Sequence, residues 1–377
     1  VSVNAPTRTP RDERLDFFRG LAMFIIFIAH MPANRWFDYI PARFGFSSAA
    51  ELFVFCSGLA SAFAFGHSFL RHGFLTGTRR ILFRLWQVYW AHIGLALVLM
   101  AVSIAAHRIT GIDYPEKLGL NWFFTHAEDG LFKLVTLRFT PSFLDILPMY
   151  LVLLAMVPGV MALARLSPSL VLIALPALWL VVQVTGLNLP GGQMPGQSWF
   201  FNPFAWQLVF FTGFSFGMGW LKAPVLKKGM VFWLCVAFLI ASVPVNFWGF
   251  TEAWPVLGEV HARLIGETGK TNLGLLLYLH FLGSAYVVLT LVERYRAELG
   301  SIWPVILVGQ QALAAFMASI ILAWLGGMVL DGVGRGMAAT ALLNLAGCAG
   351  LILTAFIAQT YKDVAKQACP TTTSKAF

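Results

Sequence analysis

The sequence predicts an all-α polytopic membrane protein with about ten transmembrane helices in one bundle. Two observations carry that prediction. The chain of 377 residues is 58% hydrophobic and only 11% charged, against about a quarter charged in a soluble domain. Its apolar residues also fall into separate runs of about 20, the length that crosses a hydrocarbon core of about 30 Å. A third observation, the net charge of +9, fits the basic side chains that membrane proteins collect on one face, and it does not call for nucleic acid as a partner. Length alone would allow two or three domains. The apolar pattern favours one membrane domain, 17–360, between an N-terminal segment 1–16 and a tail 361–377.

The runs lie near 17–36, 47–68, 81–106, 144–164, 169–187, 203–221, 230–248, 272–292, 302–324 and 337–360. The first ends in Met31-Pro32-Ala33-Asn34-Arg35, with no small-residue cleavage site, so it reads as a span rather than a removed leader. The second holds Cys56, Ser57, Gly58, Ser61 and Gly66. Such small residues let helix backbones approach closely, and this run is expected to pack on the first. Strong polar residues sit well inside only the first, third and eighth runs, as Arg19 and His30, His92, and His280. Cys56, Cys235 and Cys348 lie in apolar runs and Cys369 in the tail, which gives neither a disulfide framework nor a zinc set. There is no Gly-rich nucleotide loop and no nucleophile elbow, so no resident cofactor or metal is expected.

Ten spans put both termini on one side. Most of the 26 lysines and arginines fall on that side, among them Arg8, Arg11, Arg14, Arg71, Arg79, Arg80, Lys227, Lys228, Lys362 and Lys375. The positive-inside rule then makes both termini cytoplasmic. The far face receives two longer segments, 107–143 with Trp122 and Glu128, and 249–271 with Trp254, Glu252 and His261. Aromatics mixed with acids suit a sugar surface; they equally suit a membrane interface.

Arg19 and His30 are the leading candidates for chemistry. Eleven helical residues turn three times plus 20°, so the two side chains share a face about 16 Å apart. An ionisable group inside a membrane is costly and marks function by default, and histidine is the commonest general base. The competing reading is a hydrogen bond to a neighbouring helix. Asp16 lies one turn before Arg19, and an acid there also suits a helix start. Arg80 and Arg84 are i,i+4 neighbours whose forks suit phosphates or simply anchor topology. Glu51 either orients a substrate or histidine or is a solvated boundary acid. Asp145 stands at a helix start, where an acid is favoured, and can also hold hydroxyls. Trp206 can stack on a sugar and Gln207 can read its hydroxyls. His280 is either a second site residue or a core hydrogen bonder.

These residues also carry a resemblance. Leu15-Asp16-Phe17-Phe18-Arg19-Gly20-Leu21-Ala22, with His30 after it, resembles the first helix of the acyltransferase-3 family of membrane acyltransferases. Phe53-Val54-Phe55-Cys56-Ser57-Gly58 resembles that family's second helix. The run Arg79 to Arg84 falls where the family carries an arginine pair, spaced here Arg80-x3-Arg84 rather than the commoner Arg-x2-Arg. The OpgC-type branch, succinyltransferases of osmoregulated periplasmic glucans, is more similar still. Arg14 to Gly20, Phe143-Leu144-Asp145-Ile146-Leu147-Pro148-Met149-Tyr150 and Asn202-Pro203-Phe204-Ala205-Trp206-Gln207 carry that likeness, which covers most of 11–360.

The resemblance implies a bacterial inner-membrane enzyme that moves a succinyl group from cytoplasmic succinyl-CoA to glucan hydroxyls across the bilayer. It makes His30 and Arg19 catalytic and gives Arg80 and Arg84 the donor. Asp16, Glu51, Asp145, Trp206, Gln207 and His280 are left to the acceptor or to orientation. The partners are then acyl-CoA, glucan and lipid. Two other expectations stand beside it. One is transfer of an acetyl or other acyl group to a different envelope polysaccharide. The other is a transporter or flippase with Arg19 and His30 along its path, for which broken helices and an internal repeat are expected; no repeat is visible.

Overall fold

The computed structural model describes residues 13–141 and 143–368. Expectations for Arg8, Arg11, Lys375 and Cys369 fall outside them. Helix α1 runs Glu13–His30, with Glu13 and Asp16 in its first turn and apolar residues from Leu21 to Ala29. Ser48 then starts α2 (Ala49–Ser61) with a capping box, its side chain and that of Glu51 satisfying each other's backbone amides. A π turn, Ala62–Gly66, joins α2 to α3, His67–His72. Gly73, at φ 85°, breaks the chain before α4, Phe74–Thr110. The first three turns of α4 carry Arg79, Arg80 and Arg84, so Arg80 and Arg84 lie at a helix start, as their spacing implies.

The 107–143 segment, expected as a long loop, forms α5 (Tyr114–Lys117), α6 (Asn121–Thr125) and α7 (Ala127–Val135). Next come α8 (Ile146–Leu166), α9 (Pro168–Thr185), α10 (Pro203–Gly217) and α11 (Met230–Asn246). The 249–271 segment is likewise helical, as α12 (Trp248–Ala253), α13 (Pro255–Arg263) and α14 (Ile265–Thr268). The chain closes with α15 (Leu275–Val292), α16 (Arg296–Ser301), α17 (Trp303–Gln310), α18 (Ala312–Val333) and α19 (Met337–Ala368). Among the described residues β structure is limited to two isolated bridges.

Seven helical segments are long and apolar enough to cross a membrane: 49–72, 74–110, 146–166, 168–185, 275–295, 312–333 and 337–365. Three further helices occupy expected span positions but miss that standard. Helix α1 carries Glu13, Arg14, Asp16 and Arg19, α10 has 15 residues and α11 has 17. Length and composition therefore support a multi-pass membrane protein without establishing the count of about ten. The expected continuous run 302–324 is also interrupted. Gln311 separates α17 from α18, and its buried side chain bonds to α19, donating to Gln359 Oε1 at 2.5 Å and accepting from Lys362 Nζ at 2.5 Å.

Packing centres on α1, which touches α2, α17 and α18. The crossing with α17 is glycine on glycine. A Cβ on Gly20 would strike the carbonyl of Val305, and one on Gly309 the carbonyl of Asp16. Helix α2 packs on α1, as expected, and also on α10, where Gly58 lies on the backbone of Phe210 and Gly213 of α10 on that of Phe55. These close crossings fix α1 rigidly between two helix layers, so the groups at its two ends keep a set separation.

Candidate functional site

At the start of α1 the structure opens a pocket of about 680 Å³. Arg19 lines it from α1 and Arg79, Arg80, Arg84 and Gln87 from α4. Ser57, Ala60 and Ser61 of α2, with Ala64 and Phe65 of the π turn, form its floor, and Tyr150 of α8 completes it. The small side chains of α2 leave the space, and the π turn, a feature often found at functional sites, swings the chain around it. Arg80 and Arg84 sit one turn apart on one face, so their guanidinium groups point the same way. Arg84 also donates to Gln87 Oε1 at 3.2 Å. Arg19, Arg80 and Arg84, named from sequence on two separate helices, thus share one cavity. Asp16 is buried one turn before Arg19, and both lie within electrostatic reach of Cys56 on α2. Several arginine forks around one cavity suit a polyanion such as a phosphate ester.

The far end of α1 carries His30. Its Nδ1 lies 2.6 Å from the carbonyl oxygen of Ile26. That carbonyl can only accept, so Nδ1 carries the hydrogen and Nε2 keeps the lone pair that a general base needs. Phe143 packs edge-on to the imidazole at 4.8 Å and meets Trp324 of α18 at 5.6 Å. Phe143 holds φ at 74°, a conformation that a bulky residue adopts only when its surroundings impose it.

The turn after His30 is tied down from two sides. Asn34 and Asn344 of α19 exchange amide hydrogen bonds of 2.8 and 2.9 Å, and Asn34 also donates to the carbonyl of Ile28 at 3.1 Å. Both asparagines are buried. Arg335 donates to the carbonyls of Pro32, at 2.6 Å, and Ala33. Arg335 is itself paired with Asp331, which also accepts from Lys117 at 3.2 Å and from the Tyr114 hydroxyl at 3.1 Å. The 107–143 segment is thereby joined to the turn that carries His30.

Glu51 is fully buried at the start of α2. Its Oε2 accepts from the Ser48 amide at 2.6 Å and the Ser48 hydroxyl at 2.8 Å, while Oε1 has no partner. His280 fixes the approach to that cap: its Nδ1 is 2.8 Å from Ser47 Oγ and its Nε2 3.1 Å from Ser242 Oγ, between the rings of Phe46 and Phe238. Asp145 stands half-buried at the N-cap position of α8, without a side-chain capping bond.

One residue that sequence reasoning passed over joins these groups. Lys270 lies within electrostatic reach of His30, Glu51 and Asp145 alike. In the sequence it is a single loop lysine, and nothing in its neighbours marks it. Its backbone also accounts for Trp206. Trp206 is fully buried and donates its indole N–H to the carbonyl of Lys270 at 2.7 Å. Gln207 is fully buried and donates to the carbonyl of Leu175 at 2.7 Å. The tryptophan fastens the loop that presents Lys270, while the glutamine keeps its buried Oε1 without a partner.

The arrangement is therefore bipolar, with an arginine pocket at one end of α1 and a histidine, two acids and a lysine at the other. Among the described residues no group of three His, Cys, Asp or Glu side chains is placed to hold a metal ion. In comparisons with known proteins, a family model described as OpgC protein matches residues 11–363. No curated protein and no solved structure matches the chain.

Proposed function

The chain belongs to the OpgC family, and from that premise we propose that it is an inner-membrane O-acyltransferase that moves a succinyl group from cytoplasmic succinyl-CoA to hydroxyls of osmoregulated periplasmic glucans. The wider kinship with acyltransferase-3 enzymes is part of the same proposal. The observation that carries it is the division of labour along α1, with arginines around a cavity at one end and a base-competent imidazole about 16 Å away at the other. A transfer between two faces of a membrane needs such a separation. The donor must be held by its phosphates on one side and its acyl carbon reached from the other.

In this reading Arg80 and Arg84, with Arg79, hold the CoA phosphates, and Arg19 leads the thioester along α1. His30 Nε2 removes the proton of a glucan hydroxyl. The hydroxyl oxygen bonds to the acyl carbon, the carbon–sulfur bond breaks, and the proton passes from the imidazolium to the departing thiolate, leaving an ester and free CoA. The bond from Nδ1 to Ile26 holds the ring in the tautomer this requires. Asp145 stands where it can accept hydrogen bonds from the sugar. Phe143 covers the imidazole and keeps water from competing with the sugar.

General base catalysis typically contributes about 10²- to 10⁴-fold. His30→Ala, purified and folded, is expected to lose succinyl transfer to glucan by at least about a hundredfold, read as ester by mass spectrometry and as thiol released from succinyl-CoA. Transfer at the wild-type rate by that variant would overturn the proposal.

A further inference from the structure

The loop before α15 is held more tightly than a surface connection needs. Besides the bond from Trp206 to Lys270, the backbone N–H of Asn202 donates to the carbonyl of Thr271 at 3.1 Å, and its side chain donates to Asn272 Oδ1 at 2.9 Å. Gln183 donates to the carbonyl of Asn272 at 2.7 Å and Trp179 to that of Leu273 at 2.9 Å. The Gly274 amide closes the loop on Gly269 at 2.9 Å. Side chains from α9 and α10 thus fix the backbone on both sides of Lys270, so its ammonium is presented from a rigid base.

That ammonium is half-buried. Among the described residues it makes no ion pair, although Glu51 of α2 and Asp145 at the head of α8 are both in its field. Neither acid comes to it. The Ser48 cap holds Glu51 through Oε2, and Asp145 stays at its helix start. A partly desolvated cation without a contacting counter-ion is costly. It also opposes the reaction, because His30 gains positive charge as it takes a hydroxyl proton, and a like charge close by raises that cost. Both penalties disappear if the substrate brings a carboxylate.

We propose that Lys270 is a specificity-determining residue that binds the free carboxylate of a dicarboxylic acyl group while its ester carbon stands at His30. The inference rests on the acyl-transfer reading above and adds to it how the acyl chain is chosen. A succinyl group carries its carboxylate two methylenes from the reacting carbon, and Lys270 is the cation within electrostatic reach of His30 that this carboxylate would meet. A neutral acyl group of the same length leaves the ammonium without a contacting carboxylate. Selectivity then arises as much from the penalty on the wrong donor as from attraction of the right one.

The test uses the full-length protein in lipid nanodiscs with purified glucan as acceptor and succinyl-CoA or butyryl-CoA as donor. Wild type is expected to prefer succinyl. Lys270→Met keeps the length and removes the charge, and it is expected to lower the succinyl-to-butyryl ratio of kcat/KM by about 10- to 100-fold, the range of a charge-assisted hydrogen bond. Lys270→Arg is expected to keep the preference, and it carries the test if the methionine variant does not fold. A parallel fall with both donors would make Lys270 a structural counter-charge to Glu51 and Asp145 and overturn the inference. An unchanged ratio would do the same. A folded wild type that transfers neither group would instead overturn the acyltransferase reading itself, a result distinct from transfer that ignores Lys270.

Discussion

Arg84 is the residue at which donor binding and membrane topology make different demands. Half-buried in the pocket beside Arg19 and Arg80, it supplies a planar fork to the cavity, whereas a topology anchor needs only positive charge on the right side. Arg84→Lys keeps the charge and loses the fork; Arg84→Gln loses both. We expect Arg84→Gln to raise the KM for succinyl-CoA about tenfold with kcat little changed, the pattern of lost ground-state binding. Arg84→Lys should fall between it and wild type, and added salt should narrow the differences. Equal donor affinity in all three proteins, measured by CoA titration, would leave Arg84 a topology anchor. The sequence carried this pocket well, because an i,i+4 arginine pair on a helix start and an arginine three turns before a histidine are local patterns. It could not carry Lys270, whose role depends on α9 and α10 folding over a loop some 70 residues away in the chain. For the same reason Trp206 read as a sugar platform, since the carbonyl its indole N–H would find was invisible from the chain alone.

At the scale of elements, the turn between α1 and the Arg35 region converts helix packing into the placement of an imidazole. Asn34 and Asn344 satisfy one another in a buried site between α1 and α19. Asn344→Leu removes one partner and leaves the amide of Asn34 short of bonds, a cost of about 1–3 kcal/mol. We expect a lower unfolding temperature, together with a kcat reduced several-fold because the last turn of α1 no longer holds His30 in place. The donor KM should be unchanged, since the arginine pocket lies at the opposite end of the same helix. A rise in donor KM matching the fall in kcat would show a general loosening of the bundle and remove the positioning role. The break between α17 and α18 teaches a related lesson about legibility. Hydropathy reads 302–324 as one apolar run, and neither the restart at Gln311 nor its bonds to Gln359 and Lys362 can be read from it. Capping boxes and glycine crossings can be read locally. Pairings between distant polar residues cannot.

For the whole molecule, the open matter is how many helices cross. Seven satisfy length and composition, and the remaining three fall short for different physical reasons. Helix α10 spans only about 22 Å, but it is buried along most of its length, from Pro203 to Ser215. A helix wrapped in protein need not match the hydrocarbon thickness, because lipid never touches it. Helix α11 is the reverse case, with only Phe232 and Ser242 buried and Trp233, Leu234 and Ile240 exposed. It faces lipid, and at about 25 Å it asks for slight local thinning of the bilayer. Helix α1 carries four charges, of which Asp16 is buried against protein and Arg14 is paired with Glu293 at 2.8 Å. All three can therefore cross, and we expect ten spans with His30 on the face opposite Arg84. Impermeant maleimide labelling decides it. In a background with the native cysteines replaced, Gln197→Cys and Glu252→Cys are expected to react from outside intact spheroplasts, and Lys222→Cys only after permeabilisation. Labelling of Gln197→Cys and Lys222→Cys from the same face would show that α10 does not cross. The count of ten would then fail, and the loop that carries Lys270 would change face relative to His30.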